Sequence, residues 1–314
     1  MKTALILGLT GGYGGAVAEE LAREGWALRA LVRDEARGAS AARARGLDVE
    51  LVEGDALDAE ALQRAAQGAE VIVHGVNPTY DRWEELLLPI ADAIADVAAQ
   101  TGATLLFPGN VYNFAPGVGI DEDTPAAPPT RKGELRVEVE ARLADAATRG
   151  ARVIILRGGD FFGEGHSSSW MTEILGAAAS GGAISMPLDD EVRHAFCYLP
   201  DFARAHVALL ERGDLTAYAV FHFAGHVLTG KELQASVRDA VSDPSRKVRR
   251  IPWWGVRAAG WFKPVMGEIY AMRYLWQQEV VLDQSRLEAA LGQVPHTPLG
   301  EALRHDLTLL GAAR

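Results

Sequence analysis

The sequence holds a single cysteine, Cys197, so it can form no intrachain disulfide, and that thiol sits in an apolar stretch without an activating cation. The Met1-Lys2 start runs straight into an apolar strand pattern and has no small-residue cleavage site, so no signal peptide is expected. Both features point to a reducing, cytoplasmic setting. No apolar run approaches the ~20 residues that a membrane span needs, and no membrane partner is expected. Basic residues are in deficit: 31 Lys and Arg stand against 42 Asp and Glu, a net charge of −11. Neutralising phosphates requires a basic face, so a nucleic-acid partner is not expected either. There is no G-x-S-x-G nucleophile elbow, internal repeat or low-complexity tract. His222 and His226 have the spacing of a zinc pair, but that spacing aligns side chains only on a helix, and residues 221–224 read as strand. No metal site is expected.

What is present can bury a large core: 314 residues, 48% of them hydrophobic, suit one large or two interlocked domains. The chain is organised around its first two dozen residues. Thr3 to Leu7 reads as a strand buried on both faces, and Ala16 to Arg23 as a helix ended by Gly25. The turn between them carries Gly8, Gly11 and Gly14, with Thr10 and Tyr13 beside the last two. Gly8 lets the chain turn off the strand, Gly11 lets backbone approach a pyrophosphate, and Gly14 lets the helix pack close to the sheet. The unpaired N–H groups of the helix N-terminus then face the phosphates.

Ala27 to Val32 is a second strand, ending in Arg33-Asp34. An acidic residue there holds a ribose 2′-OH, whereas an arginine accommodates a 2′-phosphate. Arg33 at the strand end favours NADP(H) over NAD(H), with the adjacent Asp34 as the competing NAD reader. Further strands are expected at 48–53, 71–74, 105–107, 152–156 and 219–224, with helices at 83–100 and 131–148 between them. This alternation predicts an α/β fold, a Rossmann-type doubly wound parallel sheet with ligands beyond the carboxyl ends of its strands. Residues 1–160, rejoined by about 195–230, form the nucleotide-binding domain in this reading. Residues 161–194 and 231–314 form a smaller, discontinuous substrate part. Trp253, Trp254, Trp261 and Trp276, interleaved with Arg249, Arg250, Arg257 and Lys263, are expected to be the core of that part with snorkelling arginines.

The G-x-x-G-x-x-G spacing with Thr10, the Gly54-Asp-Ala-Leu-Asp58 turn, Arg157-Gly-Gly-Asp-Phe-Phe-Gly-Glu-Gly165, the stretch from Arg193 to Ala205 and Asp283-Gln-Ser-Arg-Leu-Glu-Ala-Ala-Leu-Gly292 recur along nearly the whole chain. Together they resemble the extended short-chain dehydrogenase/reductase (NAD-dependent epimerase/dehydratase) family. The resemblance implies that Asp55 lies near the adenine amine, that Gly75 opens a turn along the cofactor, and that Asp160 overhangs the nicotinamide end. Asp58 is read as a helix cap, Asp201 as structural, an N-cap, and His74 as a core histidine.

Members of that family place a Ser or Thr after strand five and a Tyr-x-x-x-Lys pair on the next helix. Here Pro108 and Gly109 occupy the hydroxyl region, Lys132 stands where Tyr is usual, and Arg136 where Lys is usual. The catalytic candidates are therefore Lys132, Tyr112, Asn110, Asp160 and Arg136, with Lys132 also at the cofactor. Lys132, Arg136 and Glu140 share one helix face. The segment from Gly163 to Pro187, rich in glycine and serine, reads as a loop that orders over substrate. The leading functional expectation is an atypical NADP(H)-dependent oxidoreductase acting on a carbonyl, hydroxyl or imine of a small molecule. The alternatives are an epimerase or dehydratase of sugar nucleotides and a non-catalytic dinucleotide sensor. A small-molecule substrate is the expected partner, with a homodimer as the assembly to test.

Overall fold

The computed structural model describes residues 2–164 and 169–312. In chain order the first half runs β1 (Thr3–Leu7), α1 (Gly12–Arg23), β2 (Ala27–Val32), α2 (Glu35–Ala44), β3 (Val49–Glu53), α3 (Ala59–Ala66) and β4 (Val71–His74). It continues through α4 (Trp83–Thr101), β5 (Thr104–Asn110), β6 (Gly117–Ile120), α5 (Arg131–Thr148), β7 (Arg152–Gly158) and β8 (Asp160–Phe162). The second half runs α6 (Trp170–Ala179), β9 (Ile184–Met186), β10 (Arg193–Tyr198), α7 (Leu199–Leu210), β11 (Tyr218–Phe223), β12 (His226–Thr229) and α8 (Gly230–Ala240). Then follow β13 (Val248–Arg250), α9 (Trp253–Ala259), α10 (Pro264–Ala271), α11 (Tyr274–Gln277), β14 (Val280–Leu282), α12 (Ser285–Leu291) and α13 (Leu299–Ala312).

A 7-stranded parallel sheet in the order β11-β7-β5-β4-β1-β2-β3 forms the centre. Its central strands β1 and β4 are buried without alternation because both faces are covered, whereas β3 at the edge exposes Glu50 and Glu53. Side-chain direction alternates all the same: Leu5, Leu7, Ile72 and Leu105 join the core under α4 and α5. Ala4, Ile6, Val73 and Leu106 join the core under α1 and α7. The strand order reverses at β1 and β4, so the crevice of a doubly wound sheet opens beyond their carboxyl ends.

Outside the central sheet, β10 pairs parallel to β8 and antiparallel to β12, while β13 pairs with β9 and β14 with β6. The last of these joins the C-terminal third to the loop after β5. Asp58 caps α3 as expected, accepting from the N–H groups of Glu60 and Ala61. Asp201 is structural but does not cap: it lies inside the first turn of α7, whose N-cap is Tyr198, and accepts from Thr297 N and Oγ1. It anchors the C-terminal segment instead. The fifth strand extends through Pro108 and Gly109 to Asn110, because pairing with β7 continues there. Part of the expected loop over substrate, residues 165–168, lies outside the described residues, and the rest of it holds α6 and β9.

The tryptophan-rich stretch departs from expectation. Trp276 is 2% exposed and belongs to the core, but Trp254 and Trp261 are 79% and 84% exposed. Helices α9 and α10 contain no fully buried residue, so they form a layer too thin to enclose these rings.

Candidate active site

The glycine turn is built by backbone crowding. Gly8 has φ +92°, and a Cβ there would stand 2.5 Å from Gly75 O; one on Gly14 would stand 2.4 Å from Gly8 O. Only glycine lets β1, β4 and α1 meet this closely. Gly11 N donates to Gly8 O, which closes the turn. Gly11 is the N-cap of α1 and, among the described residues, no side chain caps that helix, whereas Asp34, Asp58, Thr130 and Thr229 cap α2, α3, α5 and α8. The donors at the start of α1 are left for a ligand of negative charge. Thr10 and Gly11 line this turn, half-buried. Tyr13 does not: its ring is buried, and its Oη meets His206 Nδ1 at 3.0 Å on α7. Its side chain is a core group, leaving only its backbone N–H at the turn.

At the end of β2, Arg33 is exposed and has no side-chain partner among the described residues. Asp34 is committed as the cap of α2, its Oδ1 accepting from Arg37 N at 3.0 Å. Asp55 folds back on its own turn, Oδ1 accepting from Leu57 N at 2.9 Å. His74 is buried with its ring tilted against Phe107, and burial together with Arg136 lowers its pKa to about 3. It is neutral at any ordinary pH.

The charged row of α5 is not a solvated face. Lys132, Arg136 and Glu140 are 4%, 6% and 5% exposed. Glu140 pairs with Arg157 of β7 (Nε to Oε1 3.1 Å), not with Arg136. Lys132 Nζ donates to Tyr80 O at 2.8 Å and pairs with Glu268 of α10 at 2.9 Å, over the rings of Tyr80 and Trp83. Its ammonium is thus committed to two partners. Arg136 donates to Pro108 O and lies over Phe107, 4.7 Å from the ring centre; its Nε is buried without a partner among the described residues. Burial lowers the pKa of this guanidinium despite the opposing charge of Glu140.

Two phenols stand beside it. Tyr80, from the turn after β4, and Tyr112, from the turn after β5, approach Oη to Oη at 2.5 Å. Asn110 shapes this turn by accepting from Tyr112 N at 3.0 Å, and Gly133 lets α5 touch it, since a Cβ there would stand 2.3 Å from Tyr112 O. Burial pushes the Tyr80 hydroxyl up to about 12 and the Tyr112 hydroxyl well above its usual value. Tyr274 adds a third buried hydroxyl, which has no partner among the described residues, and its pKa is raised by burial and by Tyr80.

Asp160 reaches the same region from β8, but its Oδ2 is bound to His194 Nε2 at 2.9 Å. The other ring nitrogen, Nδ1, faces Leu275 O at 2.9 Å, and the ring is stacked on Trp276 with centroids 4.1 Å apart. Both nitrogens therefore face acceptors, although a neutral imidazole has one N–H. The structure thus gathers Lys132, Arg136, Tyr112, Asn110 and Asp160, and adds Tyr80, Tyr274 and His194, which sequence reasoning missed. Tyr80 was accessible in principle, since it follows a strand end on the crevice side. Nothing local marks Tyr274 or His194.

On the other side of the glycine turn, Arg45 crosses α1 at Gly15 and pairs with Glu19 at 2.6 Å and with Glu164. Burial raises the Glu164 pKa to about 7 against the pull of Arg45. Among the described residues no cluster of His, Cys, Asp and Glu is arranged to hold a metal ion, and no helix is long and apolar enough to cross a membrane.

None of the curated proteins matches the sequence. Solved structures share its fold over almost their whole length. UDP-glucose 4-epimerase of Thermotoga maritima, solved with UDP-glucose, has 16% identity and a TM-score of 0.78, covering 99% of each chain. UDP-glucuronic acid 4-epimerase of Bacillus cereus, solved with NAD, has 13% identity and a TM-score of 0.80, covering 100% of this chain and 99% of that one. UDP-glucose 4-epimerase of Thermus thermophilus, solved with NAD, has 18% identity and a TM-score of 0.77, covering 99% and 100%. The profile of one family matches residues 4–221, well over half of the sequence. The chain belongs to the NAD dependent epimerase/dehydratase family, a family of enzymes.

Proposed function

We propose that this protein transfers hydride between a nicotinamide dinucleotide and an oxygen- or nitrogen-bearing carbon of a small molecule, with the Tyr80 and Tyr112 phenols handling the proton. The observation that carries the reading is the 2.5 Å contact of those hydroxyls beside the buried Arg136. The dinucleotide, when bound, supplies the hydride donor or acceptor. The crowded glycine cradle and the uncapped start of α1 fit its pyrophosphate. Asp55 and Gly75 would line its adenine side and its length. Arg33, exposed and unpaired among the described residues while Asp34 is committed to α2, supports NADP(H) on this chain, although the relatives solved with a dinucleotide hold NAD.

Raised phenol pKa values suit an acid rather than a base at neutral pH. The direction this supports is reduction of a carbonyl or imine, in which Tyr80 Oη or Tyr112 Oη would give its proton to the oxygen or nitrogen of the substrate. The partner hydroxyl, at hydrogen-bond distance, then donates to the phenolate, and the nearby guanidinium of Arg136 stabilises it. Lys132 is a positioning residue, holding the Tyr80 carbonyl. Residues 161–194 and 231–314 would hold the substrate, with the unpartnered Tyr274 Oη and Arg136 Nε as contacts. The buried thiol of Cys197, in no disulfide, supports a reducing, cytoplasmic setting.

A second reading, epimerisation or dehydration of a sugar nucleotide with retained cofactor, draws support from the family and from what its solved relatives act on. One experiment separates the readings. The purified protein is given each nicotinamide cofactor with a panel of carbonyls, imines and sugar nucleotides, following absorbance near 340 nm and product stereochemistry. Net cofactor consumption supports reduction, and an isomerised sugar without net consumption supports the second reading. Tight cofactor binding with neither change across the panel would favour a sensor and overturn both.

A further inference from the structure

Helices α9 and α10 form a hairpin whose turn, residues 260–263, projects two aromatic rings. Trp261 and Phe262 are 84% and 86% exposed, and Trp254, on α9, is 79% exposed. The other large hydrophobic side chains exposed among the described residues are Leu57 and Val118, at 44% and 53%. Three neighbouring aromatics left in water on one hairpin exceed the scattered apolar exposure of an ordinary surface.

Charge is concentrated in the same place. Between Lys247 and Arg273 the chain has six basic residues, of which Arg250 is paired with Asp189 and Asp190, and one acidic residue, Glu268, within a protein of net charge −11. Arg257 and Lys263 flank the aromatic turn, exposed and without an ion-pair partner among the described residues, as are Lys247 and Arg249. Glu268 is paired with Lys132 and so does not offset them. Trp is the side chain that suits a lipid headgroup layer, with an apolar body and a polar N–H, and basic residues beside it are drawn to anionic headgroups.

We propose that the α9–α10 hairpin seats on an anionic lipid surface, with Trp254, Trp261 and Phe262 entering the interfacial layer and Arg257 and Lys263 meeting lipid phosphates. This is peripheral attachment, compatible with the lack of a spanning helix among the described residues. A second copy of the chain is the weaker occupant. A symmetric contact between two hairpins would set like charges together. A head-to-tail contact needs an apolar counterpart, and Leu57 and Val118 stand singly on other elements. The inference is independent of the reaction proposed above.

The test is sedimentation of the intact protein with vesicles of phosphatidylcholine, with and without about 30% phosphatidylglycerol, at low and high salt, alongside tryptophan fluorescence. The expected result is pelleting and a blue shift with anionic vesicles, weakened by salt and nearly absent with phosphatidylcholine alone. The variant Trp254→Ser, Trp261→Ser, Phe262→Ser should stay in the supernatant with an unchanged thermal melt, and Arg257→Glu, Lys263→Glu should bind at least tenfold more weakly. Wild-type protein that remains in the supernatant, or that binds no better than the triple variant, overturns the proposal. So does a concentration-dependent dimer in sedimentation velocity that the triple variant abolishes, which would assign the face to a second copy.

Discussion

Replacing Tyr80 by Phe removes one oxygen and leaves the ring against Trp83 in place, so its effects can be worked out term by term. Tyr112 Oη loses its partner at 2.5 Å in a buried setting. Leaving a buried hydroxyl unsatisfied costs ~1–3 kcal/mol, which a urea melt at pH 7 should read as a lower midpoint with unchanged slope. At alkaline pH the sign reverses. Tyr80 has a folded pKa of about 12 against 10.0 unfolded, so the native state holds this proton more tightly. Its contribution is complete below pH ~10 and is lost as pH rises toward ~12, about 3 kcal/mol over the window. Tyr80→Phe should therefore flatten the alkaline fall in stability. If Tyr80 is the acid, turnover drops by ~10²–10⁴, or roughly 3–5 kcal/mol of barrier, with the Michaelis constant little changed. Tyr112→Phe gives the comparison: if it is Tyr112 that delivers the proton, the larger rate loss moves to that variant. Urea midpoint, alkaline slope and rate all equal to wild type in Tyr80→Phe would refute the geometry itself. A lowered midpoint with normal rates in both variants would make the phenol pair structural.

NADPH should bind more tightly than NADH by calorimetry, and Arg33→Ala should narrow the gap by about tenfold, the lower end for an exposed charge-assisted phosphate contact; equal affinities in the wild type would refute this. Glu164 has a folded pKa of about 7 against 4.5 unfolded, so its stabilising proton is fully present below pH ~4.5 and is lost as pH rises through ~7. Glu164→Gln should flatten that decline in thermal melts, and an unchanged profile would count against the burial of its carboxyl. Lys132→Met should cut turnover at least tenfold, leave cofactor affinity within about threefold, and raise hydrogen exchange in α10, because it frees Tyr80 O and Glu268; normal exchange and turnover would show that the tether is dispensable. Gly14→Ala places a methyl 2.4 Å from Gly8 O, so it should lower stability and weaken binding of either cofactor, both read by calorimetry.

The sequence alone determined the doubly wound sheet, because strands covered on both faces must be apolar runs and residues 4–7 and 71–73 are such runs. It also determined the glycine turn, since residues 8, 11 and 14 carry a backbone requirement that their type expresses directly. Lys132 and Arg136 could be placed near the site for the same kind of reason, as family spacing on one helix face is local information. What those cations touch was decided only by the tertiary structure. Arg157, rather than Arg136, takes Glu140, and Tyr80 and Glu268 take Lys132, because these partners come from strands and helices far along the chain. The Tyr13 ring turned inward because α7 offers His206 on the packed side of α1. Asp201 bonds Thr297 rather than capping α7, a contact between residues almost a hundred positions apart. The exposure of Trp254 and Trp261 was also invisible to composition, which counts aromatics without counting the layers available to cover them. A two-helix hairpin with no buried residue offers no such layer, so the rings remain in solvent.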